Sequence, residues 1–522
     1  MNRHPLALPV ILLAAHAASP QQPRPVQVRT SSGVLEGAVN ADGTVRSFKG
    51  IPFAAPPVGA LRWRAPQPAP AWTGVRKAVE FGPRCSQDRI YGDMVFRDDG
   101  PSEDCLTLNV WAPEAAFAGK APDAVRLPVM FWIFGGGYMA GGTSEARQDG
   151  ANLSTKGVVV VSCNYRLGVF GFFTHPEAAR ESAHNSAGNY GLLDQLAALQ
   201  WVHDNIALFG GDPANVTIFG ESAGSFSVSG LVASPLGKGL FQRAIGESGA
   251  MFGGGLGPEP RAQAEKRNMK FARDAFGTAS LEKLRSLPAA EVQQAAREGH
   301  ARFDTVVDGW YLPESVTAIY AAGKQNRVAL LAGWNADEAR AGRFFGRMRP
   351  TAKNFVARAR RRFGDKADAF LKLYPASTDA EAQRSAGDFA GDDFIAFGTW
   401  KWIEEHTKTP GVAVYRYRFE QNLPLTPPAA PHAGEIEYVF GMLSAKNLPW
   451  TPEDRQVSCI LAGYWTNFAK TGDPNGAGLP QWPLYRDGDG YQVMHLKASP
   501  TASSDERRGR YLFLDSLSPE AR

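Results

Sequence analysis

The stretch VTIFGESAGSFSVSGLV, Val216 to Val232, decides the reading of the whole chain. Val216 to Phe219 is apolar and partly β-branched, the composition of a strand buried on both faces. Ser225 to Val232 can continue as a helix. Between them, Gly220-Glu221-Ser222-Ala223-Gly224 fits the pattern GxSxG. Five residues alone are weak evidence, but their setting is informative. Where a strand turns sharply into a helix, the residues two before and two after the serine collide unless both are small. Such a turn lifts the Ser222 hydroxyl above the sheet edge. It also aims the Ala223 N–H, at the helix N-terminus, toward a forming oxyanion. The implied chemistry is nucleophilic attack by a serine.

Upstream, VMFWIF (Val129 to Phe134) reads as a second buried strand and leads into Gly135-Gly136-Gly137. Three glycines can be a mere turn. Paired with a serine nucleophile they read as the second arm of an oxyanion hole, because glycine lets backbone N–H groups approach a substrate oxygen without a Cβ in the way. A serine hydroxyl is too weakly acidic to attack an ester unaided, so a histidine must take its proton. With this kind of turn the chain order is serine, acid, histidine. Three of the nine histidines lie far downstream: His406, His432 and His495. His406 closes TWKWIEEH and reads as a solvated helix end. His495 lies in YQVMHL, which reads as an edge strand. His432 follows the strand VAVYRYRF and a Pro-rich loop, where a base belongs. For the acid, Glu338 lies just past the strand VALLAG, while Asp337 and Asp308 remain alternatives on spacing.

Around these motifs, strand-length apolar runs (158–163, 328–333, 412–419) alternate with helical segments at Leu192 to Leu208, Ala262 to Phe276 and Asp454 to Phe468. That alternation predicts an α/β fold with a large, mostly parallel sheet flanked by helices. The helix-rich region 260–400 reads as an insertion or cap. No repeat, linker or charge block divides the chain, so residues 20–522 are expected to form one domain. The 522 residues are 44% hydrophobic and 21% charged, with a formal charge of +4. Wholesale disorder is excluded, and nothing suggests nucleic acid or an anionic membrane as the main partner.

Arg3, the apolar run Leu6 to Ala15 and Ala15-His16-Ala17 form the three parts of a signal peptide over residues 1–19, predicting a secreted or periplasmic protein. No later apolar run is long enough for a membrane span. Cys85 and Cys105 enclose a polar, loop-like stretch that a disulfide could close under oxidising conditions. Cys163 and Cys459 read as small buried hydrophobes. With no CxxC pair and no Cys/His cluster at zinc spacing, no metal or other cofactor is expected.

Taken together, these residues resemble the type-B carboxylesterase family, the carboxylesterase/lipase group within the α/β-hydrolases that also contains the cholinesterases. The resemblance runs from about Val26 to the C-terminus. Its most specific stretches are SEDCLTLNV (102–110), NYRLG (164–168), GNYGLLDQ (188–195), FGGDP (209–213) and FGESAG (219–224). It implies that the catalytic serine is Ser222, that the glutamate of a GxNxDEG motif is Glu338, and that the histidine of an HxxEIxYVFG-like motif is His432. It further implies oxyanion donors at Gly136, Gly137 and Ala223, a supporting Ser248, and a disulfide between Cys85 and Cys105.

Three departures refine the resemblance. Ala339 replaces the glycine after the acid. Phe134 stands where lipases and esterases often place a histidine. The loop between Cys85 and Cys105 contains no Trp, so recognition of a quaternary ammonium lacks its main residue. A small-molecule ester is the substrate implied. The alternatives are amide hydrolysis or transacylation on the same triad, or a non-catalytic binding module of cholinesterase type. Tyr138, Phe344 and Phe345 are candidates for an apolar site wall. The sequence does not fix the oligomeric state.

Overall fold

Each strand-length apolar run becomes a strand of one sheet. The computed structural model describes residues 24–117, 126–253 and 256–517. The segment read as a signal peptide, residues 1–19, lies outside them. Among the described residues the sheet has thirteen strands: β1 Arg24–Thr30, β2 Gly33–Val39, β3 Val45–Pro52, β4 Val75–Lys77, β5 Thr107–Pro113, β6 Leu127–Ile133, β7 Val159–Cys163, β8 Gly211–Glu221, β9 Arg243–Glu247, β10 Ala329–Asn335, β11 Val414–Phe419, β12 Gln492–Leu496 and β13 Thr501–Ser504. Their spatial order is β1-β2-β3-β5-β7-β6-β8-β9-β10-β11-β12-β13, with β4 beside β2. From β7 to β12 every neighbouring pair is parallel. The strands on either side run antiparallel, except short β4, which lies parallel to β2.

The parallel strands are buried because helices cover both faces. Ile218, Phe219, Phe131, Trp132, Ile245 and Leu331 have no exposed surface. The helices Tyr190–Asn205, Arg261–Phe276 and Pro452–Thr471 agree with the predicted segments to within a few residues, and the helix after the serine spans Ala223–Ala233. The region read as an insertion or cap forms two helical lobes on either side of β10. One packs around Met269, Ala272 and Leu284, the other around Phe344, Phe345, Phe355, Phe370 and Phe389. Phe344 and Phe345 are therefore core of the second lobe, each in contact with the Phe355 ring.

Three further expectations are corrected. His406 is not a solvated helix end: it is fully buried, with Nε2 2.8 Å from the Val328 carbonyl and Nδ1 3.1 Å from the Tyr320 hydroxyl. Burial pushes its pKa down to about 4. Cys459 is exposed, because it falls on the outer side of helix Pro452–Thr471, whereas Cys163 is buried. His495 lies on β12, one strand in from the edge, with Nδ1 2.9 Å from Glu420.

Cys85 and Cys105 form a disulfide across 20 residues of chain. Closing a loop of that length should stabilise the fold by about 3 kcal/mol through the unfolded state. Replacing both cysteines with Ser is expected to lower the urea-unfolding free energy by about that amount. An unchanged midpoint, or two free thiols in peptide maps of exported protein, would refute the link.

Candidate active site

The strand-to-helix turn after β8 has the sterics its sequence demands. Ser222 adopts φ 53°, ψ −122°, and its N–H donates to the Glu247 carbonyl at 2.8 Å. A Cβ on Gly220 would lie 2.6 Å from the Ile133 carbonyl oxygen, and one on Gly224 only 2.0 Å from the same atom. Neither position admits a side chain, so the turn packs against β6. Ser222 is left 8% exposed at the C-terminal end of the parallel strands, where loops from neighbouring strands converge.

Those loops bring two distant residues to the serine. His432 lies on the connection after β11, with Nε2 2.9 Å from Ser222 Oγ. Its Nδ1 is 2.5 Å from Glu338 Oε2. Glu338 follows β10, and its other oxygen accepts hydrogen bonds from the Ser248 hydroxyl and the Asn335 N–H, each at 2.6 Å. Ser248 follows β9 at a φ of 59° and donates its own N–H to the Gly333 carbonyl. One carboxylate oxygen is thus clamped by the protein and the other is turned to the imidazole.

The alternative acids are occupied elsewhere. Asp308 accepts from the Ser186 hydroxyl at 2.6 Å and the Leu312 N–H at 2.8 Å. Asp337 is exposed and accepts from the Ala430 N–H at 2.8 Å.

Gly135, Gly136 and Gly137 leave β6 beside Ser222. A Cβ on Gly135 would lie 3.0 Å from Ser222 Cβ. Gly136 has φ 110°, and a Cβ there would lie 1.9 Å from the Ala140 carbonyl oxygen, so only glycine fits. The Gly136 carbonyl accepts from the Met139 and Ala140 N–H groups at 3.1 Å, folding the loop back on itself. Among the described residues, the N–H groups of Gly136, Gly137 and Ala223 donate to no carbonyl of a turn, loop or cap. Phe134 stacks on Tyr165 at 4.4 Å, filling the core beneath the loop. Tyr138 is buried too, 3.1 Å from the Ser227 hydroxyl and packed on Phe172, so it supports the loop rather than lining the open site.

Two features escaped the sequence. Glu221 occupies the second position of GxSxG, which the motif leaves unspecified, yet its Oε1 lies 3.3 Å from His432 Nε2. Burial raises Glu221 to about 7, against the pull of the positive charge on His432. For His432, burial alone would lower the pKa, but the carboxylates of Glu221 and Glu338 outweigh it and raise it to about 10. The disulfide loop also reaches the site. The Tyr91 hydroxyl stands 3.3 Å from where a Cβ on Gly137 would sit, and Met94 Cε stands 3.3 Å from one on Gly136. Gln87 holds that loop down by exchanging two hydrogen bonds with Gly141, at 2.7 and 2.9 Å. Among the described residues, no group of three or more His, Cys, Asp or Glu could hold a metal ion.

Known proteins place this architecture. The carboxylesterase family model matches residues 24–513. Fumonisin B1 esterase of Sphingopyxis macrogoltabida is 35% identical over 492 residues, covering 90% of this chain and 86% of that protein. Carboxylesterase 1E of Mus musculus is 36% identical over 544 residues, covering 93% of each chain. A solved PNB esterase superposes with a TM-score of 0.79 at 33% identity, covering 96% of this chain and all of the other. The sheet, its flanking helices and these likenesses together make the fold an α/β-hydrolase and the protein a carboxylic ester hydrolase; the chain belongs to the carboxylesterase family.

Proposed function

We propose that Ser222, His432 and Glu338 are the catalytic triad, acting through an acyl-enzyme intermediate on a small-molecule ester. The observation that carries this reading is the continuous chain Ser222 Oγ–His432–Glu338, with links of 2.9 and 2.5 Å. Glu338 holds Nδ1 as the protonated nitrogen, which leaves Nε2 free to accept the serine proton. Ser222 Oγ then attacks the ester carbonyl. The tetrahedral oxyanion settles on the N–H groups of Gly136, Gly137 and Ala223, which are fixed in place before the reaction begins. His432 passes its proton to the leaving alcohol. It next activates a water molecule, whose attack releases the acid and restores Ser222. Ser248 positions Glu338. Labelling with a fluorophosphonate probe tests the nucleophile: the adduct should map to the Ser222 peptide, and an unlabelled protein, or an adduct on another serine, refutes the reading.

Glu221 supplies a second prediction. Activity requires neutral His432, so kcat/KM rises as pH climbs through its pKa. Two neighbouring carboxylates favour the imidazolium, placing that rise above the ordinary imidazole value of about 6.5. Glu221→Gln removes one of them and is expected to move the rise to lower pH. A rise that stays in place would show that Glu221 carries no charge the histidine can sense.

The proposal extends to the rest of the chain. Residues 20–522 act as one hydrolase domain, delivered to an oxidising compartment by the N-terminal segment. The Cys85–Cys105 disulfide supports that location. Among the described residues, no helix is long and apolar enough to cross a membrane.

A further inference from the structure

A single π turn, Asp392–Ala396, joins helix Asp379–Gly391 to helix Phe397–Thr407. Such turns are rare and recur at functional sites, because the extra residue redirects a side chain. This one abuts the proposed triad. A Cβ on Gly391 would lie 3.2 Å from Glu338 Cβ. Phe394, carried by the turn and only partly buried, meets the His432 ring edge to face, with centroids 5.5 Å apart.

The same phenyl ring seats a cation. The Arg343 guanidinium lies 4.4 Å from its centroid. Arg343 is exposed, in the short helix Gly342–Phe345, between Ala341 and the buried pair Phe344 and Phe345. Ala339 to Ala352 contains four arginines (Arg340, Arg343, Arg347 and Arg349) and no acidic residue. All four are exposed, and none forms an ion pair among the described residues. Nearby Arg362, by contrast, is paired with Asp393 at 2.7 Å. Beyond Glu338, past exposed Asp337, the segment thus carries positive charge that no ion pair among the described residues offsets.

We propose that Arg343, seated on Phe394, is a specificity-determining residue that binds a carboxylate carried on the alcohol portion of the ester. The proposal rests on the Ser222 reading. His432 must hand its proton to the leaving oxygen, so the alcohol portion lies on the histidine's side of the scissile bond, beside Phe394. A guanidinium resting on an aromatic face keeps its in-plane N–H groups available for bidentate contact with a carboxylate. The other exposed arginines of the segment raise the local concentration of an anionic substrate.

The test compares two matched ester pairs. 4-Acetoxybenzoate and neutral 4-acetoxybenzamide differ in charge on the leaving alcohol. 4-Nitrophenyl hemisuccinate and 4-nitrophenyl butyrate differ in charge on the acyl group. Each rate is corrected for the ester's reactivity toward hydroxide. In Arg343→Gln the benzoate-to-benzamide ratio of kcat/KM should fall about five- to tenfold, mainly through KM. Arg343→Lys should fall less, and added salt should lower the ratio in the native enzyme more than in Arg343→Gln. A ratio that Arg343→Gln and salt leave unchanged overturns the proposal, as does a fall confined to the hemisuccinate pair. The neutral ester separates this inference from the one beneath it: Ser222→Ala hydrolysing 4-acetoxybenzamide at the native rate would sink the Ser222 reading itself.

Discussion

Ser222→Ala is expected to fold normally and to lose kcat by on the order of a million-fold, the scale of nucleophile removal in serine hydrolases. Normal folding is expected because the hydroxyl is not structural. The turn is held by the Ser222 N–H bond to Glu247 and by the close packing of Gly220 and Gly224 on Ile133, none of which involves Oγ. Alanine has a Cβ and inherits the φ of 53° without added cost. A residual rate above the uncatalysed reaction should survive, since Gly136, Gly137 and Ala223 still present their N–H groups. Active-site titration and single-turnover kinetics on purified protein check this. Retention of more than about a tenth of the native kcat would remove Ser222 from the mechanism.

Glu338→Gln is expected to cost about four orders of magnitude in kcat, although the side chain changes by one atom. The reason lies in the clamp on the carboxylate. Oε1 accepts from the Ser248 hydroxyl and the Asn335 N–H, while Oε2 faces His432 Nδ1. A glutamine has one acceptor oxygen, and the Asn335 N–H claims it. The amide NH2 is then turned to His432, where it can only donate. Nδ1 must become the acceptor, the proton moves to Nε2, and Ser222 meets a donor where it needs a base. The imidazolium has also lost a counter-charge, so the residual activity should rise through a lower pH than in the native enzyme. NMR of the imidazole N–H and a pH profile read the two effects separately. If Glu338→Gln keeps near-normal activity while Asp308→Asn or Asp337→Asn abolishes it without unfolding, the acid is misassigned. Activity surviving His432→Ala but not His406→Ala or His495→Ala would do the same for the base.

What could be read directly from the chain was local in physical origin. Gly220 is demanded within the turn itself, where a Cβ would lie 2.7 Å from the Gly224 carbonyl carbon, and the adjacent Ile133 of β6 excludes a side chain at both Gly220 and Gly224. Gly136 is demanded by a carbonyl four residues away. The strands after which Glu338 and His432 lie are legible because both faces of the parallel sheet are buried, leaving runs such as VALLAG with no polar residue. Family likeness, not spacing, separated Glu338 from Asp337 and Asp308.

Other features depended on contacts between segments far apart in sequence. The order β8-β9-β10-β11 places the connections after β10 and β11 beside the serine, so residues 94 and 210 positions from His432 meet its two ring nitrogens. No pattern in TWKWIEEH announces that Val328 and Tyr320 will enclose His406, and nothing around Cys459 reveals that its side of the helix faces outward. The sequence alone therefore determined the sheet, the nucleophile turn and the glycine arm, because sterics and burial act over a few residues. Only the tertiary structure decided that Glu221 faces His432, that Tyr91 and Met94 overlie the glycine loop, and that a π turn sets Phe394 and Arg343 beside the histidine. Those neighbours are fixed by the packing of whole elements against one another, which no short window of sequence encodes.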